Sequence, residues 1–178
     1  MTDRKPEVRV RQLRTDDNRT GFDSGNIELD RFFRRYAGQN QFRHHVGSTY
    51  VAVHGNAIAG FMTVSMAELT SEKLTKKLRR RLPGYPMPVL RLARLAVDRR
   101  WQGHGVGRLL LRSVLELALE MRDRVGCTGV VVDAKADAVG FYASLGFGEL
   151  DLASGGVGDR PPPEVMFLPI ARVAAGRG

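Results

Sequence analysis

The sequence predicts an α/β domain in which helices pack on a sheet of mixed strands. The 178 residues are 43% hydrophobic, which suits one domain with a sizeable core. Strand-like segments alternate with segments of helical periodicity, and a strand, a glycine-rich turn and a helix follow one another between Leu92 and Leu111. We therefore expect a single domain over residues 1–178, with residues 1–7 and 172–178 disordered.

The first half of the chain contains three predicted strands and a predicted helical region, which the element order below counts as two helices. Residues Val8–Leu13 alternate apolar and charged side chains, as a half-exposed strand does. Asn26 is a plausible N-cap for a helix. Its apolar residues at helical spacing are Ile27, Leu29, Phe32, Phe33 and Tyr36. The stripe of Phe32, Phe33 and Tyr36 is predicted to be core, with a lining of the substrate cleft as the alternative. The stretch "STYVAVHGNAIAGFMTVSMAEL" predicts two strands around a turn at Gly55–Asn56.

The second half repeats the alternation of helix and strand. "SEKLTKKLRRRLPG" predicts a short basic helix, and "PMPVLRLARLAV" a long strand whose prolines exclude its start from a central ladder. A helix is predicted from Gly105 to about Arg124. "CTGVVVDA" is a buried strand, "DAVGFYASLGF" a helix ended by Gly146, and "EVMFLPI" a last strand. The predicted order is β-α-α-β-β-α-β-α-β-α-β.

Charge and cysteine content restrict the function classes. The net charge of +9 favours a polyanionic partner, although a solvated basic surface would account for it equally well. A single cysteine, Cys127, excludes an internal disulfide and a cysteine metal site, and it is expected to be inert core. The sequence contains no apolar run of membrane-spanning length and no signal peptide at "MTDRKPEVRV". We therefore expect a cytoplasmic protein with no membrane association.

The glycine-rich turn is the most informative motif. In "RLAVDRRWQGHGVGRLLL", Gly103, Gly105 and Gly107 come between a strand and a helix. Glycines at a helix N-terminus let unpaired backbone N–H groups approach an anion closely. The turn lacks the Gly-Lys-Ser/Thr of a P-loop, and it lacks the acidic residue that a dinucleotide fingerprint requires. The pattern therefore predicts a diphosphate on this turn, with close packing of the turn as the alternative.

Two motifs carry a family resemblance. Gln102, Gly105 and Gly107 resemble the Gln/Arg-x-x-Gly-x-Gly/Ala motif with which GNAT N-acetyltransferases bind acetyl-CoA. "AVGFYASLGF" resembles the next motif of that family, a helix with a Phe-Tyr pair followed by Gly-Phe. The resemblance covers nearly the whole chain. It implies the GNAT fold, a mixed and mostly antiparallel central sheet splayed at two parallel central strands and flanked by helices.

A narrower resemblance concerns one subfamily. "FDSGNIELDRFFRRYAGQNQ", "RLPGYPMPVLRLARLAVD", "VVVDAKADAVGFYASLGF" and "FLPI" are similar to toxins of toxin–antitoxin systems that acetylate aminoacyl-tRNA. Ala93 departs from the glycine expected before Arg-Leu-Ala-Val. The resemblance implies an acetyl-CoA-dependent N-acetyltransferase that blocks translation, a ribbon-helix-helix antitoxin and a homodimer. Two alternatives stay open: a GNAT enzyme for a small amine or a protein N-terminus, and a non-catalytic nucleic-acid-binding protein.

The resemblance also implies which residues bind acetyl-CoA. The pantetheine arm is expected between the strand at Leu95–Val97 and the strand at Val130–Val132, with an N–H near Leu95–Ala96 facing the thioester carbonyl. The diphosphate is expected on the backbone of Gln102–Gly107. The full set is Leu95, Ala96, Val97, Arg99, Arg100, Gln102, Gly103, His104, Gly105, Val106, Gly107, Ala138, Phe141 and Tyr142.

The same resemblance makes Tyr142 the expected catalytic residue. Its hydroxyl would protonate the thiolate that leaves when an amine attacks the thioester. The alternative is a buried tyrosine bonded to a backbone carbonyl. Glu68 has the best position for a general base, although a solvated carboxylate at a strand end explains it more simply. No base is required if the substrate is an α-amino group, because its pKa is only about 8.

Basic residues are expected to contact the phosphates of a tRNA acceptor stem. The expected RNA-binding residues are Lys76, Lys77, Arg79, Arg80, Arg81 and Arg91, with additional charge from Arg34, Arg35 and Arg43. The alternative is a solvated charged face. His44 and His45 have no metal-ligand partners at helical spacing, so we predict a surface position for both and no metal site.

Overall fold

A computed structural model describes residues 7–70, 76–80, 84, 86–150 and 164–176 of the chain. Its first elements are β1 (Arg9–Gln12), α1 (Ile27–Arg31), a π-helical turn (Phe32–Tyr36), α2 (Ala37–Gln39), a second π-helical turn (Asn40–His44), β2 (Ser48–His54) and β3 (Ala57–Leu69). Then come α3 (Lys76–Arg79), β4 (Met87–Val97), a 3-10 turn (Arg99–Trp101), α4 (Val106–Arg124), β5 (Gly129–Ala134), α5 (Val139–Ser144), β6 (Gly148–Glu149), β7 (Glu164–Pro169) and α6 (Ile170–Ala175).

The strands form one mixed seven-stranded sheet in the order β1-β2-β3-β4-β5-β7-β6. β1 pairs with β2, β2 with β3, β5 with β7 and β6 with β7, all antiparallel. β4 and β5 are parallel, and α4 lies in the crossover connection that parallel neighbours need. This architecture confirms the predicted fold class. Residues 153–163, and Ser71 at the predicted start of the basic helix, lie outside the described residues.

The chain divides into two compact units. The first comprises Met1–Ser65 and Leu92–Val114, and the second comprises Met66–Arg91 and Leu115–Gly178. Each unit therefore takes one part of β3, β4 and α4. A single domain over residues 1–178 stays a prediction.

The core of the first unit is built around Phe61 of β3. The rings of Phe33 and Phe61 stack with their centroids 4.3 Å apart, and Phe22 meets Phe33 edge-on at 4.8 Å. Leu13, Val51 and Ala96 complete the cluster. The predicted N-cap is confirmed, since the Asn26 side chain accepts a hydrogen bond of 3.0 Å from the backbone N–H of Leu29.

Tyr36 departs from the predicted core stripe. Phe32 and Phe33 are buried as predicted, but Tyr36 is 43% exposed. The backbone N–H of Ala37 bonds to the carbonyl of Phe32, which closes a π-helical turn of five residues. That wider turn shifts the angular positions of the following side chains, so a spacing of four residues after Phe32 no longer returns to the core face.

The second unit packs β5 and β7 against the end of β3 and the start of β4. Val131 lies opposite Phe167 in the β5–β7 ladder, and Val131 packs in a cluster with Leu69, Met87 and Val89. Gly146 ends the α5 segment with a φ of +97°, a conformation that favours glycine. This position agrees with the predicted end of the helix.

The C-terminal end differs from its prediction. The expectation of disorder from residue 172 is wrong for residues 172–175, which belong to α6. Val173 is only 5% exposed and anchors that helix, because its apolar side chain is removed from water. None of the helices in the described part of the chain has the length and apolarity that a membrane crossing needs.

Candidate active site

Asp98 organises the end of β4 where the glycine turn begins. Its side chain is 1% exposed and accepts hydrogen bonds from the backbone N–H groups of Asp23 at 3.1 Å and Arg100 at 3.0 Å. The Arg100 side chain adds two more, from Nε at 3.0 Å and from Nη2 at 3.2 Å. Asp98 therefore joins the loop at Asp23 to the 3-10 turn that precedes the glycines.

Burial alone would raise the pKa of Asp98, but the bonds from Arg100 and the backbone bonds outweigh it and hold the pKa below its ordinary value. Asp98 is thus a buried carboxylate that stays ionised near neutral pH. Asp98 was not among the site residues predicted from the sequence. The available signal was an aspartate between a strand and a turn, the usual place for a residue that caps the following turn.

The Gln102 side chain ties the turn to its surroundings. Its amide nitrogen donates to the carbonyl of Ser24 and to the carbonyl of Val97, each at 3.0 Å. The side chain therefore positions the loop and the strand end. The backbone N–H of Gln102 remains available, as the predicted role for this residue requires.

The turn presents a row of backbone N–H groups. No described residue accepts a hydrogen bond from the N–H groups of residues 102–108, and the first such bond in the helix runs from Leu109 to Gly105 at 3.1 Å. Gly103 and Gly105 have φ values of +80° and +83°, and a Cβ on either would meet no atom within 4 Å. The glycines therefore serve the backbone conformation and leave open space above it. This geometry fits the diphosphate of acetyl-CoA.

The two arginines after β4 lie in different pockets. Arg100 lines a pocket of about 830 Å³, together with Val8, Ala57, Trp101, Gly103, His104, Gly105 and Val106. Arg99 lines a second pocket of about 400 Å³ and forms an ion pair of 3.4 Å with Asp23. The structure thus brings Arg100, Gly103, His104, Gly105 and Val106 together and leaves Arg99 out of that group. In β4, Ala96 is buried, and Leu95 and Val97 are half-buried.

In the second unit, Tyr142 lies on α5 and is 7% exposed. The rings of Phe141 and Phe147 meet its ring edge-on at 5.2 Å and 5.6 Å. Within the described ranges, no residue forms a hydrogen bond with its hydroxyl, so the alternative of a tyrosine bonded to a carbonyl has no support there. Burial raises the pKa of Tyr142 to about 12, so its proton is retained at neutral pH. Ala138 is the N-cap of α5.

The predicted RNA-binding residues are only partly described. Lys76, Arg79 and Arg80 are exposed at α3, whereas Arg81 and the side chain of Lys77 lie outside the described residues. Arg91 forms an ion pair with Asp133 of β5, so its charge is already matched. Glu68 is exposed on β3.

Three other residues have the positions that the sequence predicts. His44 and His45 are exposed. Cys127 is buried, and its thiol donates to the carbonyl of Gly129 at 3.3 Å. In the part of the chain that the structure describes, no group of three or more His, Cys, Asp or Glu side chains is placed to hold a metal ion.

Comparison with known proteins identifies the family. The family model described as "Acetyltransferase (GNAT) domain" matches residues 45–149. A tRNA-acetylating toxin of Mycobacterium tuberculosis (strain ATCC 25618 / H37Rv) is 32% identical over 139 residues, which is 77% of this chain and 82% of the relative.

Solved structures agree with this assignment. A crystal structure of a bacterial toxin superposes with a TM-score of 0.84 at 25% identity, covering 97% of this chain and 96% of that one. AtaT complexed with acetyl-methionyl-tRNAfMet has a TM-score of 0.81 at 23% identity, covering 97% of this chain and 100% of AtaT.

The chain belongs to the GNAT acetyltransferase family. It is an acetyl-CoA-dependent N-acetyltransferase, and the resemblance found in the two motifs is confirmed.

Proposed function

We propose that this enzyme transfers the acetyl group of acetyl-CoA to the α-amino group of an aminoacyl-tRNA. The observation that carries the proposal is the 32% identity, over 77% of the chain, to a tRNA-acetylating toxin. A similar structure, AtaT, is described in complex with acetyl-methionyl-tRNAfMet. The net charge of +9 suits a polyanionic substrate.

The glycine turn would bind the donor. The unpaired N–H groups of residues 102–108 would hold the diphosphate, because they lie at the positive end of the dipole of α4. Bound acetyl-CoA supplies an acetyl group activated as a thioester. Asp98 and Gln102 would keep the turn in its binding conformation through their bonds to the Asp23–Ser24 loop.

Tyr142 would act as the general acid. Its buried hydroxyl carries a proton at neutral pH, and it has no described partner that would compete for that proton. The hydroxyl would protonate the sulfur as the acetyl group moves to the amine. The α-amino group needs no protein base, because its pKa is about 8 and water can take the proton that it loses. The exposed position of Glu68 agrees with a mechanism that does not use it.

The consequence in the cell would be a block of translation. An acetylated α-amino group has lost the nucleophilic lone pair that forms the next peptide bond. We propose that the enzyme is the cytoplasmic toxin of a toxin–antitoxin pair, that it forms a homodimer and that a ribbon-helix-helix protein neutralises it. The similar solved structures include a point mutant of AtaT bound to the C-terminus of the antitoxin AtaR and to acetyl-CoA.

Labelled acetyl-CoA tests the proposal. The enzyme is incubated with total charged tRNA, with the same tRNA after deacylation, and with a panel of small amines and N-terminal peptides. We expect label only in the charged tRNA, where mass spectrometry after nuclease digestion identifies the N-acetyl aminoacyl group. Label in a small amine or a peptide, and none in charged tRNA, would contradict the proposal.

A further inference from the structure

A basic pocket in the first unit shares no lining residue with the pocket at the glycine turn. It encloses about 400 Å³ beside α1 and is lined by Asp23, Gly25, Ile27, Asp30, Arg31, Arg34, Arg35 and Arg99. Four arginines face two aspartates there, so two positive charges are left without a matching carboxylate. Guanidinium groups held together in this way repel one another unless an anion joins them.

Both aspartates already have partners. Asp30 is 4% exposed, and its Oδ1 accepts bonds from the backbone N–H of Ser24 at 3.0 Å and from the Ser24 hydroxyl at 2.7 Å. Its Oδ2 lies 3.8 Å from Nη2 of Arg34. Asp23 accepts from the backbone N–H of Gly25 at 2.9 Å and pairs with Arg99 at 3.4 Å. The pocket thus has two internally matched arginines.

Arg31 and Arg35 are the unmatched pair. Both are exposed, and neither has a hydrogen-bond or ion-pair partner among the described residues. They are four residues apart at the junction of α1 and the first π-helical turn, so both side chains reach the same pocket. The guanidinium groups therefore offer donors to a ligand from outside the chain.

Another part of the pocket is formed by Gly25, whose missing side chain leaves room for the guanidinium group of Arg99. Gly25 has a φ of +89°, and a Cβ there would lie 3.1 Å from Nε and 3.2 Å from Nη2 of Arg99. A larger residue would therefore displace the guanidinium as well as strain the backbone. The buried Asp30 holds Ser24 next to this glycine, so this part of the pocket is ordered before any ligand binds.

We propose that this arginine pocket, defined by Arg31, Arg34, Arg35 and Arg99, binds a phosphate of the RNA substrate. The proposal rests on the proposed function in taking the phosphate from tRNA. Planar guanidinium forks match phosphate oxygens in pairs, and two unmatched arginines suit one phosphodiester or two neighbouring ones. The second source of the same chemistry is the 3′-phosphate of acetyl-CoA, which the experiment separates from tRNA.

The test compares Arg31→Ala/Arg35→Ala with Arg122→Ala/Arg124→Ala. The control pair removes the same charge from the exposed end of α4, where each arginine has an acidic partner. We expect the KM for charged tRNA to rise about tenfold in the pocket variant and to stay within twofold in the control. The slope of log affinity for tRNA against log salt should fall by roughly 1.4 to 1.8. Arg31→Lys/Arg35→Lys should recover the slope but only part of the affinity.

Two further measurements identify the source of the phosphate. The Kd for acetyl-CoA and for its 3′-dephospho form should be unchanged in the pocket variant. If the pocket variant binds acetyl-CoA more weakly but binds the 3′-dephospho form as the parent does, the pocket belongs to the 3′-phosphate and the proposal is overturned. A salt slope for tRNA equal to that of the control variant would also overturn it. Fluorescence anisotropy with labelled, deacylated tRNA measures the affinity for RNA in the absence of catalysis. The parent enzyme could bind tRNA more tightly than the pocket variant and yet acetylate no charged tRNA. That result would contradict the proposed function and leave the pocket assignment standing.

Discussion

The glycine turn and the arginine pocket are two proposed anion sites in one unit, and each would bind its anion by a different kind of interaction. The turn offers backbone N–H groups of residues 102–108, whose dipoles are fixed by the main chain. The pocket offers guanidinium charges on long side chains. Its lining residues other than Arg99 all lie between Asp23 and Arg35, far from Arg99 in sequence. Acetyl-CoA binding at the turn should therefore depend on the backbone conformation of the glycines and only weakly on salt concentration. Binding of tRNA at the pocket should depend steeply on salt concentration.

The largest expected effect belongs to a residue outside both sites. Tyr142→Phe removes one hydroxyl from a buried ring and keeps its packing. Turnover should fall about 100- to 10,000-fold, because the leaving sulfur loses its proton donor. Affinity for acetyl-CoA and for tRNA should stay as in the parent. Steady-state kinetics at saturating donor measure the loss, with Tyr36→Phe at an exposed tyrosine as the matched control.

The pH profile sharpens this assignment. The pKa of Tyr142 is about 12, so the hydroxyl stays protonated at every lower pH. The rate should rise with pH as the substrate amine loses its proton near pH 8 and should not fall again below about pH 11. A turnover within a few-fold of the parent in Tyr142→Phe would remove Tyr142 from the acid role.

Gly105→Asp should disrupt acetyl-CoA binding at the glycine turn and leave the arginine pocket intact. Gly105 has a φ of +83°, which strains any L residue, and the new carboxylate repels the diphosphate. Acetyl-CoA affinity should fall about a hundredfold by calorimetry, and the salt slope for tRNA should not change. Gly126→Asp is the control, because Gly126 has a φ of +95° and equally open surroundings in the second unit. Unchanged acetyl-CoA affinity in Gly105→Asp would contradict the assignment of the turn.

Asp98→Asn should weaken both sites by a few-fold, since Asp98 joins the loop at Asp23 to the turn at Arg100. The unfolding free energy should drop by about 2 kcal/mol, because a buried carboxylate loses charge-assisted bonds. Urea titration measures the drop, with the exposed Asp137→Asn as control. The pKa of Asp98 lies below its ordinary value of 3.8, so its contribution is complete at neutral pH and disappears only in acid. Equal stabilities of the two variants would exclude this role.

The difference between the two sites also explains what could be predicted from the sequence. The turn was predictable, because three glycines at alternate positions come directly before and at the start of a periodic helix. Arg34 and Arg35 were expected to add charge for RNA, but the arginine pocket as a site was not predictable, because Asp23, Arg31 and Arg99 meet only after folding. The same reason applies to Asp98, because its hydrogen bond from Asp23 joins residues far apart in sequence and no local motif indicates it. Arg99 was expected at the diphosphate, and that role stays a prediction; its side chain lines the arginine pocket and forms an ion pair with Asp23.

Local structure shows a similar limit. Strands β2 and β3 and helix α4 followed from apolar periodicity and a Gly55–Asn56 turn. The π-helical turn at Phe32–Tyr36 did not follow from periodicity, because an apolar pattern of 3.6 residues per turn does not reveal a hydrogen bond between residues five apart. Tyr36 was therefore wrongly predicted to be buried. The role of Tyr142 as an acid and the set of donor-binding residues stay predictions until the variants above are measured.

The central claim is that the enzyme recognises an aminoacyl ester together with its RNA. The most direct test compares kcat/KM for a charged tRNA with kcat/KM for the same amino acid esterified to adenosine alone, at about 50 mM and about 200 mM salt. We predict a preference for tRNA of about a hundredfold at the lower salt, which shrinks steeply at the higher salt as phosphate contacts weaken. Equal kcat/KM for the two acceptors at both salt concentrations would contradict the claim.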